Sequence, residues 1–128
     1  MAHATADIGT VDYAVALLAG EHALTADEGP SLGGKDAGPS PYELLCAALG
    51  ACTAITLRMY ARRKEWRLSA VHVDVLSRSH GKEHAMVRKL HFVGDLDEAQ
   101  RTRLADIAER TPVTLILKQG IAITTTLE

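Results

Sequence analysis

The feature that most constrains this chain is an uncharged stretch, residues 44–57, in which apolar residues would surround the whole circumference of a helix. Just before it, Ser40, Pro41 and Glu43 have the spacing of an N-cap, a first helical residue and the reciprocal acid of a capping box. The pattern predicts one long helix over residues 41–63. Because a helix that is apolar on every face is typical of a buried element, we expect it at the centre of the fold.

A buried helix of this length needs more cover than a chain of 128 residues readily supplies. The stretch is too short and too rich in Gly and Thr for a convincing membrane span. We therefore expect a soluble protein in which a second copy covers the helix, that is, a homodimer. Residues 1–10 lack the basic region and apolar run of a signal peptide, and two cysteines are too few for a disulfide framework. Both features favour a cytoplasmic location with reduced thiols.

The charge distribution gives no sign of nucleic-acid binding. The formal net charge is -2, and the composition, with 47% hydrophobic and 23% charged residues, is ordinary for a globular protein. The basic residues that end the long helix, Arg58, Arg62, Arg63 and Lys64, complement the helix dipole.

The remaining patterns predict an α+β fold in a single domain, residues 1–128. We expect strands over residues 11–17, 22–26, 71–75, 84–93 and 121–127, and helices over residues 97–110 and 112–119. The helix over residues 97–110 directs Leu104, Ile107 and Ala108 inward, and Thr111 can cap the helix that follows. Residues 27–40 form a loop rich in Gly and Pro that lacks the Lys and Ser/Thr spacing of a phosphate-binding loop.

Cys52 is the residue most suited to chemistry, because it lies in the middle of the long helix among small neighbours. The alternative is that it packs as a small apolar residue. Cys46 is expected in the core. The two cysteines are six residues apart, which on a helix is roughly 9 Å of rise and about 120° of rotation. Since a disulfide needs Cα atoms within about 7 Å, they cannot pair within an intact helix.

The histidines do not suggest a metal site, and no cofactor is expected. His80 and His84 flank a predicted turn, and no third ligand lies near them in sequence. His72 and His91 are expected on strands, partly exposed.

Two sequence runs resemble the OsmC/Ohr family of osmotically induced and organic hydroperoxide resistance proteins. They are GGKDAGPSPYELL over residues 33–45 and AALGACT over residues 47–53. The resemblance continues through RMYA at 58–61, GDL at 94–96 and TPV at 111–113, and it is nearest to the OsmC-like branch. It implies intertwined homodimers, in which antiparallel sheets wrap around two long central helices and the active sites lie at the subunit interface.

The peroxidase branches of that family reduce organic hydroperoxides with two cysteines, and this chain departs from their pattern. The resemblance implies that Cys52 stands at the first cysteine position and Thr111 at the second. Tyr42 stands where those branches carry a glutamate, with the acid one residue later at Glu43. They also supply an arginine from the N-terminal strands, whereas this chain has no arginine before Arg58.

The resemblance therefore implies a redox protein that uses one cysteine. Cys52 would be the nucleophile that reduces an organic hydroperoxide, an external thiol would regenerate it, and Tyr42, Glu43 and Arg58 are candidate neighbours. One alternative is a non-catalytic dimer that binds a small apolar ligand in its interface pocket. Another is a diverged stress protein whose thiol only packs.

Overall fold

The computed structural model describes residues 1–128 and shows an α+β fold with antiparallel sheets, as the sequence predicts. It divides into two compact units, Met1–Leu45 and Cys46–Glu128, with the boundary inside the long helix.

The first unit contains a three-stranded antiparallel sheet in the order β1-β2-β3. Its strands are β1 (Ala4–Asp7), β2 (Val15–Ala19) and β3 (His22–Ala26). The bounds of β3 agree with the sequence prediction, whereas β2 begins four residues later than predicted and β1 is not evident from the sequence. The sequence of β1, ATAD, has no hydrophobic alternation, and β1 forms because it pairs with β2 from Ala4 opposite Ala19.

The loop that follows β3 is organised around a buried carboxylate. Asp27 is 2% exposed and accepts hydrogen bonds from the backbone amides of Glu28 (2.8 Å), Lys35 (3.3 Å) and Ala37 (3.1 Å). A short 3-10 helix, Pro30–Leu32, lies within the loop. The amide of Asp27 donates to the carbonyl of Pro39 at 3.1 Å, which closes the loop at its base.

Two glycines let the backbone of this loop fold closely on itself. A Cβ atom added to Gly34 would lie 1.9 Å from the carbonyl oxygen of Glu28, and one added to Gly38 would lie 2.0 Å from that of Thr25. No other residue fits at either position without moving the backbone.

The long helix α1 (Pro41–Arg63) begins at the predicted capping box. The amide of Ser40 donates to Glu43 Oε1 at 2.9 Å, and the amide of Glu43 donates to Ser40 Oγ at 3.2 Å. By its length and composition alone, α1 could cross a membrane. The core helix of a soluble protein can have the same length and composition.

The second unit holds an antiparallel hairpin, β4 (Arg67–His80) and β5 (Glu83–Asp95), followed by α2 (Glu98–Ala108) and α3 (Pro112–Gln119). The two strands predicted over residues 71–75 and 84–93 and both helices are confirmed, although the strands extend further than the sequence indicated. Asp97 and Gln100 form a second capping box at the start of α2, and Thr111 caps α3 as predicted.

Only one face of the part of α1 that belongs to the second unit is covered by the rest of that unit. The buried cluster of the second unit consists of Leu57, Ala61, Leu68, Leu104 and Ala108. On the other side of α1, Ile55 is 55% exposed and Met59 is 60% exposed. The expected burial on every side is therefore not reached within this unit, because none of its elements packs over that face.

The strand predicted over residues 121–127 is wrong. These residues have no strand pairing and are exposed along their whole length. Their alternating pattern suits a strand, but a strand forms only beside a neighbour that satisfies its backbone groups, and none pairs with this segment.

Candidate thiol site

Cys52 is half-buried in the middle of α1. Its Sγ lies 4.0 Å from Thr56 Oγ1, one helical turn further on. Its position follows from the helix geometry, because about 100° per residue places it between the covered face, which carries Thr53, and the uncovered face, which carries Ile55. The thiol is thus at the edge of an apolar surface rather than inside the core.

Cys46 is also half-buried and is a free thiol. The sequence placed it in the core, but the structure leaves it partly accessible. Because α1 is continuous from Pro41 to Arg63, the helix holds Cys46 and Cys52 roughly 9 Å apart along its axis. A disulfide between them would require the helix to unwind.

Tyr42 and Glu43 lie in the first turn of α1, within the first compact unit. The hydrogen bond from the Ser40 backbone amide, followed by the contact with the Ser40 side chain, lowers the pKa of Glu43. Glu43 is therefore an ionised capping residue. Tyr42 is 51% exposed. Catalytic roles for both residues stay predictions.

Arg58 lies in the second unit and joins α1 to the start of β4. Its guanidinium donates to the carbonyl of Leu68 and, at 3.1 Å, to that of Ser69. Arg58 also borders an open groove of about 410 Å³. The other residues that line this groove are Ala54, Ile55, Met59 and Val71. A catalytic role for Arg58 likewise stays a prediction.

The structure adds an arginine that the sequence did not single out. Arg88 of β5 is only 10% exposed. One terminal nitrogen, Nη1, donates to Thr53 Oγ1 at 3.0 Å and to Thr114 Oγ1 at 2.9 Å. Thr53 directly follows Cys52 and also donates to the carbonyl of Leu49 at 2.7 Å. Arg88 therefore fixes the turn of α1 that carries the thiol.

The same network includes Thr111, which the resemblance aligns with the second cysteine. The hydroxyls of Thr111 and Thr114 are 2.6 Å apart, and Thr111 is fully buried. At the other end, Arg88 Nη2 donates to Glu109 Oε2 at 2.8 Å. Hydrogen bonds from Lys118, and then from Arg88, lower the pKa of Glu109. Thr111 is thus connected to the buried guanidinium through the hydroxyl of Thr114.

One sequence signal could have identified Arg88. Along β5, Met86, Leu90 and Phe92 are the partly buried residues of an alternating strand. Arg88 falls in the same inward phase. A charged residue at an inward position requires polar partners inside the protein, and these are the buried threonines.

The fold and the site define a class: an α+β protein with a half-buried thiol on a long helix that is partly uncovered. The chain belongs to the OsmC family, because the sequence model of the protein family described as OsmC-like protein matches residues 33–126. The resemblance stated from the sequence is confirmed. No functionally curated protein matches this chain.

Three solved structures illustrate the similarity of fold. A proposed osmotic stress induced and detoxification response protein from Psychrobacter arcticus is 18% identical, with a TM-score of 0.78 over 90% of this chain and 87% of the other. An OsmC like protein from Mycoplasma pneumoniae is also 18% identical, with a TM-score of 0.74 over 92% and 87%. The organic hydroperoxide resistance protein OsmC from Legionella pneumophila is 20% identical, with a TM-score of 0.69 over 92% and 89%. At these identities the similarity establishes the fold alone.

Proposed function

We propose that this chain is a redox protein of the stress response that reduces organic hydroperoxides with a single cysteine, Cys52. The observation that carries the proposal is the half-buried thiol in the middle of α1, at the border of an uncovered apolar face. Family membership and the name of the Legionella protein support the substrate class.

The reaction needs one nucleophile and an external reductant. The Cys52 thiolate attacks the terminal oxygen of the hydroperoxide, the O–O bond breaks, and the leaving alkoxide takes a proton to give the alcohol. Cys52 is then a sulfenic acid. One external thiol condenses with it to give a mixed disulfide and water. A second external thiol releases Cys52 as a thiol and forms the disulfide of the reductant.

Slow turnover is expected, since no ion pair or cationic hydrogen bond to the Cys52 thiol is present. Its contact is with the hydroxyl of Thr56, and Arg58 donates to backbone carbonyls of β4. A strongly nucleophilic thiol normally requires a nearby cation or helix N-terminus. We expect rates well below those of a two-cysteine enzyme with an activated thiol.

We further propose that the working form is a homodimer. Ile55 and Met59 present an apolar surface along α1 beside Cys52. A second copy of this chain would remove that surface from water and shelter the thiol. Light scattering at micromolar concentration should show a dimer, and a folded monomer would contradict the proposal.

The functional test is a coupled hydroperoxide assay with cumene hydroperoxide, run separately with dithiothreitol and with a monothiol reductant. We expect measurable turnover in the wild type and none in Cys52→Ser. Cys46→Ser is the matched control, because it removes the other half-buried thiol of the same helix and should retain turnover. Dimedone should label Cys52 after exposure to peroxide. If Cys52→Ser equals the wild type and no adduct forms on Cys52, the redox proposal fails.

One observation favours a second function, that of a binding protein for small apolar ligands. The groove that Arg58 borders is otherwise lined by apolar residues, Ala54, Ile55, Met59 and Val71, and begins within one turn of Cys52. Under this alternative, an apolar fluorescent probe would bind equally to the wild type and Cys52→Ser, and neither would consume hydroperoxide.

A further inference from the structure

The hairpin of the second unit has an outward face on which two histidines lie directly opposite each other. The register pairs His72 of β4 with His91 of β5, and both residues are exposed. The spacing along the chain could not show this, because the two histidines are 19 positions apart and only the register brings them together.

Directly opposed residues of an antiparallel pair have Cβ atoms about 4.5–5.5 Å apart, with their side chains on the same face of the sheet. Two imidazoles at that separation can bind one metal ion between them. Neutral imidazole nitrogen is a preferred ligand of nickel, copper and zinc ions. We propose that His72 and His91 form a two-histidine site for a late first-row divalent transition-metal ion.

The neighbouring pairs of the register leave this site accessible and close to neutral. On one side Asp74 lies opposite Lys89, so that the negative and the positive charge next to the histidines offset each other. On the other side Ala70 lies opposite Val93. No group of three His, Cys, Asp or Glu residues is placed to hold a metal ion, so water supplies the remaining ligands. The site is therefore an open surface site.

The other histidines of the hairpin are arranged differently. His80 pairs with Glu83, and His84 pairs with Ser79, whose hydroxyl lies 2.9 Å from His84 Nδ1. His80 and His84 are therefore not directly opposed. They provide a matched control, since they are two exposed imidazoles at the turn of the same hairpin.

The test is a calorimetric titration with Ni²⁺, using the metal-free full chain without a histidine tag. We expect one Ni²⁺ per chain. Loss of an outer-shell partner alone weakens metal binding about 10–100-fold, so His72→Gln and His91→Gln, which each remove a direct ligand, should weaken it at least about tenfold. The double variant His80→Gln/His84→Gln should bind as the wild type does. Cys52→Ser, titrated in parallel, should also bind unchanged.

A second measurement locates the ion without reference to affinity. Ni²⁺ is paramagnetic, so it should broaden the backbone NMR signals of residues near positions 72 and 91 before those of the turn. Both histidines are exposed, so their variants should fold, and circular dichroism checks this. Unchanged affinity in His72→Gln, loss of binding in the turn variant or in Cys52→Ser, or broadening centred on the turn would each overturn the proposal.

Discussion

Two polar clusters of this protein, one in each compact unit, are built in opposite ways. In the first unit, Asp27 and the Ser40–Glu43 capping box bind backbone amides at most ten residues away. In the second unit, Arg88 binds side chains 35, 26 and 21 residues away, at Thr53, Thr114 and Glu109. The first cluster shapes a loop and a helix start, whereas the second fastens separate elements together. We therefore expect damage to the first to stay local and damage to the second to spread.

The largest effect is expected from Arg88→Gln. The shorter amide cannot reach Thr53, Thr114 and Glu109 together, so buried hydroxyls lose their donor. We expect a loss of about 2 kcal/mol in the free energy of unfolding, measured by urea denaturation. Lys89→Gln is the control, because Lys89 is the exposed next residue of β5. Equal midpoints for the two variants would mean that the Arg88 cluster does not hold the unit together.

A smaller and local effect is expected from Asp27→Asn. The hydrogen bond from the Ala37 amide, the largest influence, lowers the pKa of Asp27 below its usual value of 3.8. A carboxyl whose pKa is lowered by folding stabilises the folded state above its usual pKa, and this contribution is lost as the pH falls through the lowered value. The variant should therefore differ most from the wild type near neutral pH, with the difference shrinking below pH 3.8.

Amide hydrogen exchange at Lys35 and Ala37 measures this effect directly, because these amides donate to Asp27. Exchange should be faster in Asp27→Asn at neutral pH. Asp36→Asn is the matched control, since Asp36 is exposed and its φ of 54° suits asparagine. Equally fast exchange in both variants would show that charge anywhere in the loop, rather than the buried carboxylate, orders it.

The smallest effect is expected from Ser40→Ala, which removes one acceptor from the start of α1. The expected cost is about 1 kcal/mol, seen as a lower denaturation midpoint. Ser31→Ala in the exposed 3-10 helix is the control. An unchanged midpoint for Ser40→Ala would argue that the capping box does not determine where the helix begins.

The same contrast explains what could be predicted from the sequence. The start of α1 and the cap at Thr111 are evident because the residues that form them are three positions apart. The partners of Arg88 could not be predicted, because they come from α1, Glu109 and α3, which no spacing connects. The register that pairs His72 with His91 was hidden for the same reason.

The strand predicted over residues 121–127 shows the opposite failure. There the local pattern was present, but the neighbouring strand was not. Alternation of apolar and polar residues describes a segment suited to a sheet and does not supply its partner. Cys52 could be identified as a candidate from the sequence because its neighbours in α1 are small. Its partial exposure could not be predicted, because it depends on how much of α1 the other elements of the second unit cover.

The close backbone approaches at Gly34 and Gly38 have a consequence for how this loop can evolve. Every replacement adds a Cβ atom, and that atom would fall about 2 Å from a carbonyl oxygen. We therefore expect no single substitution to be tolerated at either position, so that both glycines stay fixed during evolution. In a saturation library selected for folded protein, both positions should retain glycine only, while exposed Lys35 between them should accept most residues.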